Sequence, residues 1–338
     1  MTADVARVAV IGAGSWGTAL AALLAGKGHR VVLWSYEPEV ALRINRDRRS
    51  PYLPDAQLPD ALTVVDDIEA AVSGAELVVS VSPSQFVRQV MTGAAPHMRD
   101  DAILVSASKG IELGSLLRMD EVLSEAVPGD IMERFAVLSG PSFAHEVAAE
   151  APTAVVVAGR SESVATTVQS VFQTSYFRVY TTTDVVGVEL GGALKNVIAL
   201  AAGVAAGLGF GHNTGAALIT RGLAEMTRLG VAMGARRETF YGLAGMGDLV
   251  LTCTGSLSRN RTVGYRLGQG ERLEDILADM NAVAEGVRTS EAVFELSRRH
   301  GVEMPITEEV HAILHEGRSP SDALAALMRR DPKPEVWS

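Results

Sequence analysis

A glycine-rich segment near the amino terminus constrains the fold more than any other feature of this chain. Residues 12–17 read GAGSWG, directly after an apolar run that predicts a strand and before an Ala- and Leu-rich run that predicts a helix. In this context Gly12 permits a tight turn, Gly14 lets a pyrophosphate approach the backbone, and Gly17 allows the helix to lie close to the strand. Free N–H groups at the helix start favour a negatively charged ligand. The segment predicts a dinucleotide site, and the alternative is a glycine-rich turn without a ligand.

The first half of the chain alternates short apolar runs with helical patterns, which is typical of βαβ units and a parallel sheet. After about residue 184, long helical patterns replace the β-branched runs. We therefore predict an α/β fold with a Rossmann-like dinucleotide-binding domain that has an extended, mixed sheet (1–188) and an all-helical substrate-binding domain (189–338). The predicted strands are 7–11, 30–34, 77–82, 103–106, 137–138, 153–158 and 177–180; the predicted helices are 18–25, 186–206, 216–233, 273–280, 288–300, 306–315 and 321–330.

Composition argues against several classes of protein. The chain carries 40 Asp and Glu against 30 Lys and Arg, a formal charge of −10, so nucleic acid or an anionic membrane is not expected as a general partner. Its single cysteine, Cys253, excludes an intramolecular disulfide and agrees with a cytoplasmic location. The apolar run after Gly191 contains Lys195 and Asn196 and is a poor membrane span. No His or carboxylate pattern at metal-ligand spacing stands out, so no metal site is expected.

The segment after the second predicted strand bears on the choice between NAD and NADP. An acidic residue there binds the NAD ribose, whereas basic residues accommodate the 2′-phosphate of NADP. This strand ends in Trp34-Ser35-Tyr36-Glu37, with Glu37 slightly late for the acidic position. The arginines that follow either offer one side chain to a phosphate or form a solvated helix face, which we favour; they are Arg43, Arg46, Arg48 and Arg49. The choice of cofactor stays open.

Lysine is scarce, and two of the four lysines lie in segments typical of a site. Lys109 lies in SASKG, after a predicted strand, and ligands of open α/β sheets bind beyond the carboxyl ends of the strands. An ammonium there suits a substrate oxygen or a group near the nicotinamide. The segment SGPS at 139–142 follows another strand in the same way. Either segment in isolation is a common loop.

Lys195 lies in a predicted helix of Ala, Leu, Val and Gly, beside Asn196. Burial disfavours the charged form of a lysine, and a lysine of lowered pKa suits general acid/base chemistry near neutral pH. The alternative is a lysine whose stem packs while its ammonium reaches water.

A later segment, GMGD at 245–248, supplies Asp248, a carboxylate that we expect to pair with Lys195. Arg259, in SRN at 258–260, offers a planar fork that matches a phosphate. The alternative is a glycine-rich loop between helices with polar surface residues.

In order along the chain, these segments resemble the soluble, NAD(P)-dependent sn-glycerol-3-phosphate dehydrogenases of bacteria. The combination of GGALKN with GMGDL and SRN is specific to that family, whereas the opening glycine motif is not. The resemblance runs from residue 12 to about 290, through GAGSWGTALA, VSASKGIE, LSGPSFAHEV, FRVY, GVELGGALKNVIALAAG, ALITRGLAEM, GLAGMGDLVLTCTGSLSRN and AEGVRT.

The resemblance implies reversible hydride transfer from NAD(P)H to dihydroxyacetone phosphate, giving sn-glycerol 3-phosphate for glycerophospholipid synthesis. It implies that Lys195 is the proton donor and acceptor, that Asp248 holds it, and that Asn196 helps to orient the substrate. The implied substrate contacts are Lys109, Gly140, Ser142, Lys195, Asp248, Ser258, Arg259 and Asn260. The implied cofactor contacts are Gly12, Gly14, Ser15, Trp16, Gly17, Ser35, Tyr36, Tyr52, Lys109, Ala144, Arg259, Val283 and Glu285. Many relatives carry a basic residue at or near Tyr36, which this chain lacks.

Two other functions stay open at this point. A related two-domain dehydrogenase that acts on a hydroxy acid or a sugar acid needs no substrate phosphate. A non-catalytic dinucleotide sensor keeps the glycine turn but not an acid/base pair, so the presence of both Lys195 and Asp248 argues against it. By analogy alone, the helical domain is expected to form a homodimer.

Overall fold

An eight-stranded mixed sheet forms the amino-terminal part of the fold. The computed structural model describes residues 6–280, 284–332 and 334–335. Within them the strands lie in the order β3-β2-β1-β4-β5-β6-β7-β8. Neighbours from β3 to β6 are parallel, whereas β7 is antiparallel to β6 and parallel to β8, which confirms the predicted mixed sheet. The strands are β1 Arg7–Ile11, β2 Arg30–Trp34, β3 Thr63–Val65, β4 Leu77–Ser80, β5 Ile103–Ser106, β6 Phe135–Ser139, β7 Thr153–Gly159 and β8 Phe177–Thr182.

Helices cover the sheet and form all of the regular structure after it in the described residues. The first eight are α1 Ser15–Gly26, α2 Pro38–Asp47, α3 Ile68–Val72, α4 Val87–Ala94, α5 Met119–Ala126, α6 Gly129–Met132, α7 Ala144–Ala148 and α8 Glu162–Phe172. The next eight are α9 Val185–Gly207, α10 His212–Ala232, α11 Asp248–Thr254, α12 Arg259–Gly268, α13 Leu273–Ala278, α14 Glu285–Arg299, α15 Pro305–His315 and α16 Pro320–Met328. Short 3-10 helices lie at Ser84–Phe86, Ala95–His97 and Arg237–Tyr241, and a π-helical turn at Leu243–Gly247.

The glycine turn joins β1 to α1 as the sequence predicts. Gly12 has a φ of +126°, which an L side chain rarely adopts. A Cβ on Gly17 would lie 1.9 Å from the carbonyl oxygen of Gly12, so only glycine lets the helix approach the turn this closely. The helix begins at Ser15, three residues before the predicted start, because the extended backbone of Gly14 is followed at once by helical turns.

Helix α9 is the centre of the helical part, and its second half crosses α12 at backbone contact. A Cβ on Gly203 would lie 2.2 Å from the carbonyl oxygen of Arg261, and one on Gly264 would lie 2.1 Å from that of Leu200. Gly207 and Gly268 repeat this close approach one turn further along. Glycines spaced four residues apart on both helices therefore fix how α9 and α12 pack.

Length and composition would allow α9 to cross a membrane, but 89% of its most apolar stretch is buried inside the protein. Its apolar character is that of a core helix, since it contacts α10, α11, α12 and α14.

Several elements escaped the sequence prediction. The three-residue strand β3 and most short helices between the strands have too few residues to show a clear period. Helix α12 was not predicted either, because its first residues follow a glycine-rich segment that is typical of a loop.

Candidate active site

A buried carboxylate lies between two ammonium groups where the sheet meets the helical part. The Nζ atoms of Lys195 and Lys109 each donate to Asp248, at 2.7 Å to Oδ1 and 2.7 Å to Oδ2 respectively. Lys109 also donates to the carbonyl oxygen of Gly140 at 3.1 Å. The side chain of Asp248 is 2% exposed, that of Lys195 8% and that of Lys109 19%. The structure therefore brings together four residues that the sequence places in separate segments.

The fold delivers these side chains from three elements. Lys109 follows β5, Lys195 lies in the middle of α9, and Asp248 is the first residue of α11. Small residues before Lys195 let the segment that precedes Asp248 lie close to α9. A Cβ on Gly191 would lie 2.5 Å from the carbonyl oxygen of Ala244. The two glycines of GGALKN thus let the segment before Asp248 and the loop after β5 come against one face of α9.

The electrostatics of this group favour a lysine that exchanges a proton near neutral pH. Burial lowers the pKa of Lys195 to about 8; the charge of Asp248 opposes this shift and that of Lys109 adds to it. Burial alone would raise the pKa of Asp248, but the charges and hydrogen bonds of the two lysines outweigh burial and lower it. The three groups carry a net positive charge when both lysines are protonated, which suits an anionic substrate.

Thr252 is a second hydrogen-bond partner of Lys195, and it was not predicted from the sequence as a site residue. Its hydroxyl accepts a hydrogen bond from Lys195 Nζ at 2.7 Å and donates one to the carbonyl oxygen of Asp248 at 2.6 Å. The spacing of four residues between Asp248 and Thr252 could have indicated this contact, because residues one helical turn apart lie on the same face. Cys253 beside it is buried, and burial raises the pKa of its thiol to about 12, so it stays protonated at neutral pH.

Asn196 and Asn260 form a second buried pair beside the lysines. Asn260 Nδ2 donates to Asn196 Oδ1 at 2.9 Å, and its Oδ1 accepts from the backbone N–H of Gly286 at 2.9 Å. A Cβ on Gly286 would lie 2.8 Å from that same oxygen, so glycine is required where α14 meets the pair. The pair joins α9, α12 and the start of α14.

Glu285 connects the helical part to the loop after β4. Its carboxylate accepts hydrogen bonds from the hydroxyl of Ser84 at 2.6 Å and from the backbone N–H of Ser84 at 3.1 Å. Arg259 is an exposed residue, but partial burial of its guanidinium lowers the pKa of that group, and the charge of Glu285 opposes the shift. Ser84 was not predicted as a site residue, although its position just past the end of a strand is a signal for one.

A further set of predicted contacts lies in and after the end of β2, which adjoins the glycine turn. The N–H of Gly12 donates to the carbonyl oxygen of Trp34 at 3.1 Å, so this turn adjoins the end of β2. Tyr36 is 79% exposed, and the hydroxyl of Tyr52 donates to Glu37 at 2.6 Å. Strand β5, which precedes Lys109, is three positions from β2 in the sheet, and neighbouring strands are about 4.8 Å apart. The residues after β2 are therefore separated from the start of the Lys109 loop by about 14 Å across the sheet.

Other predicted residues are placed as follows. Ser142 donates to the carbonyl oxygen of Gly140 at 3.0 Å, and Ala144 begins α7, which packs against α1. The hydroxyl of Ser258 caps α12 by accepting from the N–H of Arg261. Val283 lies outside the described residues. In the part of the chain that the structure describes, no three His, Cys, Asp or Glu side chains are grouped to hold a metal ion.

Comparison with known proteins shows the family of this chain. Residues 7–165 match the model of the NAD-dependent glycerol-3-phosphate dehydrogenase N-terminus, and residues 184–325 match that of its C-terminus. The chain is 58% identical over 332 residues to a glycerol-3-phosphate dehydrogenase [NAD(P)+] of Geobacter sulfurreducens, covering 98% of this chain and 99% of that one. The crystal structure of glycerol-3-phosphate dehydrogenase from Coxiella burnetii is 40% identical with a TM-score of 0.91, covering 96% of this chain and 99% of that one. The chain therefore belongs to the NAD-dependent glycerol-3-phosphate dehydrogenase family of oxidoreductases.

Proposed function

We propose that this chain reversibly reduces dihydroxyacetone phosphate to sn-glycerol 3-phosphate with NAD(P)H, with Lys195 as its general acid and base. The observation that carries the proposal is the buried Lys195, which donates to Asp248 at 2.7 Å and whose pKa is lowered to about 8. The relatives named above carry this activity in their names. The product would supply glycerophospholipid synthesis.

The residues around the glycine turn fit a dinucleotide. Gly14 is exposed, a Cβ there would meet no atom within 4 Å, and no side chain caps the start of α1. Free N–H groups of a helix start beside an open backbone suit a pyrophosphate. Trp16 Nε1 is buried without a hydrogen-bond partner among the described residues. We assign the pyrophosphate contacts to Gly12, Gly14, Ser15, Trp16 and Gly17, and place Ala144 beside them.

The side chains of this site account for the proton in the reaction. When bound, the cofactor supplies or accepts a hydride at the carbon that is reduced or oxidised. During reduction, negative charge develops on the ketone oxygen, and the Lys195 ammonium stabilises that charge and donates its proton to the oxygen. In the reverse direction the neutral amine removes the hydroxyl proton. Asp248 and Thr252 hold Nζ in place for both directions, since each binds it at 2.7 Å.

The substrate phosphate is assigned to the guanidinium of Arg259, which can present two parallel N–H groups to an anion. Asn260 follows it in α12 and is held by Asn196 and Gly286, so the start of this helix is fixed relative to Lys195. Lys109 adds a second ammonium near the reacting oxygen, with Gly140 and Ser142 beside it. Positioning of this kind is how a phosphate far from the chemistry accelerates it.

Three expectations from the sequence stay part of this proposal. The boundary between the dinucleotide-binding and helical domains is placed near residue 188, just after the start of α9. The chain is proposed to act in the cytoplasm and to form a homodimer through its helical domain. Light scattering coupled to gel filtration tests the dimer, and a monomer at micromolar concentration would contradict it.

Purified protein is assayed for NADH and NADPH oxidation with dihydroxyacetone phosphate, and with unphosphorylated dihydroxyacetone as the control. We expect oxidation that requires the phosphorylated ketone. Equal turnover of both ketones would refute the role of Arg259 and favour a dehydrogenase for unphosphorylated substrates. No oxidation by a folded protein that binds dinucleotide would favour the sensor.

A further inference from the structure

The segment after β2, whose last residue Trp34 accepts a hydrogen bond from Gly12 of the glycine turn, carries the carboxylate of Glu37. Glu37 precedes α2 as its N-cap residue, but its side chain makes no capping hydrogen bond. Instead the hydroxyl of Tyr52 donates to Glu37 Oε1 at 2.6 Å, and Ser35 Oγ donates to the carbonyl oxygen of Glu37 at 3.0 Å. The hydrogen bond between Gly12 and Trp34 holds this segment against the turn. The carboxylate of Glu37 is therefore held by Tyr52 and does not cap helix α2.

Three of the four nearby arginines are occupied by other parts of the chain. Arg46 forms a two-pronged contact with Asp47, at 2.6 and 2.8 Å. The other two donate to backbone carbonyl oxygens: Arg48 to Leu62 at 2.7 Å and Arg49 to Pro54 at 3.0 Å. The fourth, Arg43, is exposed on α2 and interacts with the charge of Asp47, so its charge is also met from within the chain.

We propose that Glu37, positioned by Tyr52, makes this enzyme select NADH over NADPH. A carboxylate near the end of the second strand accepts hydrogen bonds from the ribose hydroxyls of NAD and repels the 2′-phosphate of NADP. Glu37 lies three residues past Trp34, the last residue of β2. Tyr52 binds Oε1, and the proposal assigns Oε2 to the ribose hydroxyls. The hydrogen bond to Glu37 raises the pKa of Tyr52 to about 12, so Tyr52 remains a donor throughout the working pH range. The inference rests on the proposed function for its catalytic readout only.

The proposal predicts the ratio of the affinities for NADH and NADPH. A hydrogen bond to a charged group contributes about 1.5–3 kcal/mol, which corresponds to roughly 10- to 100-fold in binding. The wild-type enzyme is expected to bind NADH at least about tenfold more tightly than NADPH, with the same order in kcat/KM.

The test measures the dissociation constants of NADH and NADPH by nicotinamide fluorescence without substrate, and then kcat/KM for each cofactor. Glu37→Gln removes the charge and is expected to lower the NADH/NADPH ratio about tenfold in both readouts. Glu39→Gln is the matched control, because it removes an exposed carboxylate two residues away, and it is expected to keep the wild-type ratio. Arg43→Gln is expected to leave NADPH binding unchanged.

The variant Tyr52→Phe tests whether the Tyr52 hydroxyl positions Glu37 or only supports the fold. Loss of its hydroxyl frees Glu37, so KM for NADH is expected to rise by more than KM for NADPH, and the NADH/NADPH ratio of kcat/KM is expected to fall. A general defect in the fold would weaken both cofactors together and would contradict the positioning role.

Equal or tighter binding of NADPH by the wild type, an unchanged ratio in Glu37→Gln, or weaker NADPH binding in Arg43→Gln would each overturn the proposal. These outcomes do not depend on turnover. A protein that prefers NADH in binding but oxidises neither cofactor would support the role of Glu37 and refute the proposed reaction.

Discussion

Asp248 and Glu225 are both carboxylates inside the helical part of this protein, but they have different partners. Asp248 is 1% exposed and binds the ammonium groups of Lys195 and Lys109. Glu225, on α10, is 2% exposed and accepts from the backbone N–H groups of Ile306, at 2.7 Å, and Thr307, at 3.2 Å. One carboxylate thus holds a lysine of the active site, whereas the other caps the start of α15.

The pKa values of the two carboxyl groups shift in opposite directions because their neighbours differ. Burial raises the pKa of any carboxyl group, because the charged form loses its hydration. It raises that of Glu225 to about 7, although the hydrogen bonds from Ile306 and Thr307 oppose the shift. At Asp248 the two lysines outweigh burial and lower the pKa. Neighbouring charge, rather than depth, separates the carboxylate of the site from the structural one.

The contributions of the two groups to stability are therefore lost on opposite changes of pH. Asp248 has a lowered pKa in the folded state, so its contribution is present above its ordinary value of 3.8 and is lost as the pH falls. Glu225 has a raised pKa, so its contribution is present below its ordinary value of 4.5 and is lost as the pH rises through about 7.

The largest effect is expected from Lys195→Ala. Loss of a general acid lowers turnover by about 10³-fold or more, while the glycine turn remains intact, so NADH binding stays measurable by fluorescence. Lys27→Ala is the control, because Lys27 donates to the backbone carbonyl oxygens of Ser170 and Val171 in α8 and has no place in the proposed site, and it should keep full activity. Activity retained in Lys195→Ala would remove the acid/base role.

The second-largest effect is expected in kcat/KM, which Asp248→Asn should lower and Glu225→Gln should not. Asp248→Asn leaves Lys195 without its anionic partner, and kcat/KM with dihydroxyacetone phosphate is expected to fall about 100-fold. Glu225→Gln, an equally buried change of the same kind, is expected to leave kcat/KM unchanged. Equal losses in the two variants would mean that Asp248 is also only structural.

A smaller effect appears in stability. The shift of Glu225 from 4.5 to about 7 corresponds to about 3 kcal/mol, lost by the wild type between these pH values. Glu225→Gln cannot ionise, so its free energy of unfolding relative to the wild type should improve between pH 5 and pH 8. Urea titrations at both pH values measure this difference, and a constant difference would contradict the raised pKa of Glu225.

The sequence predicts the scaffold of the site better than its contacts. The apolar runs give β1, β2 and β5 with the bounds that the structure has, because buried parallel strands are short and continuous in their apolar character. Lys195 stands out because a charged residue interrupts an apolar helix. The bond from Lys109 to Asp248 could not be predicted, since 139 residues separate the two and many carboxylates were available. The pair of Ser84 and Glu285 escaped for the same reason.

The pH dependence of kcat/KM for dihydroxyacetone phosphate reduction tests the central claim, that the charges around Lys195 set its pKa for proton donation. The wild-type rate should fall above a pKa of about 8, as the ammonium is lost. Asp248→Asn removes the charge that raises this pKa, so the fall should move to lower pH. Lys109→Gln removes a charge that lowers it, so the fall should move to higher pH. Opposite shifts in the two variants are the predicted result, and a fall at the same pH in all three enzymes would contradict the account.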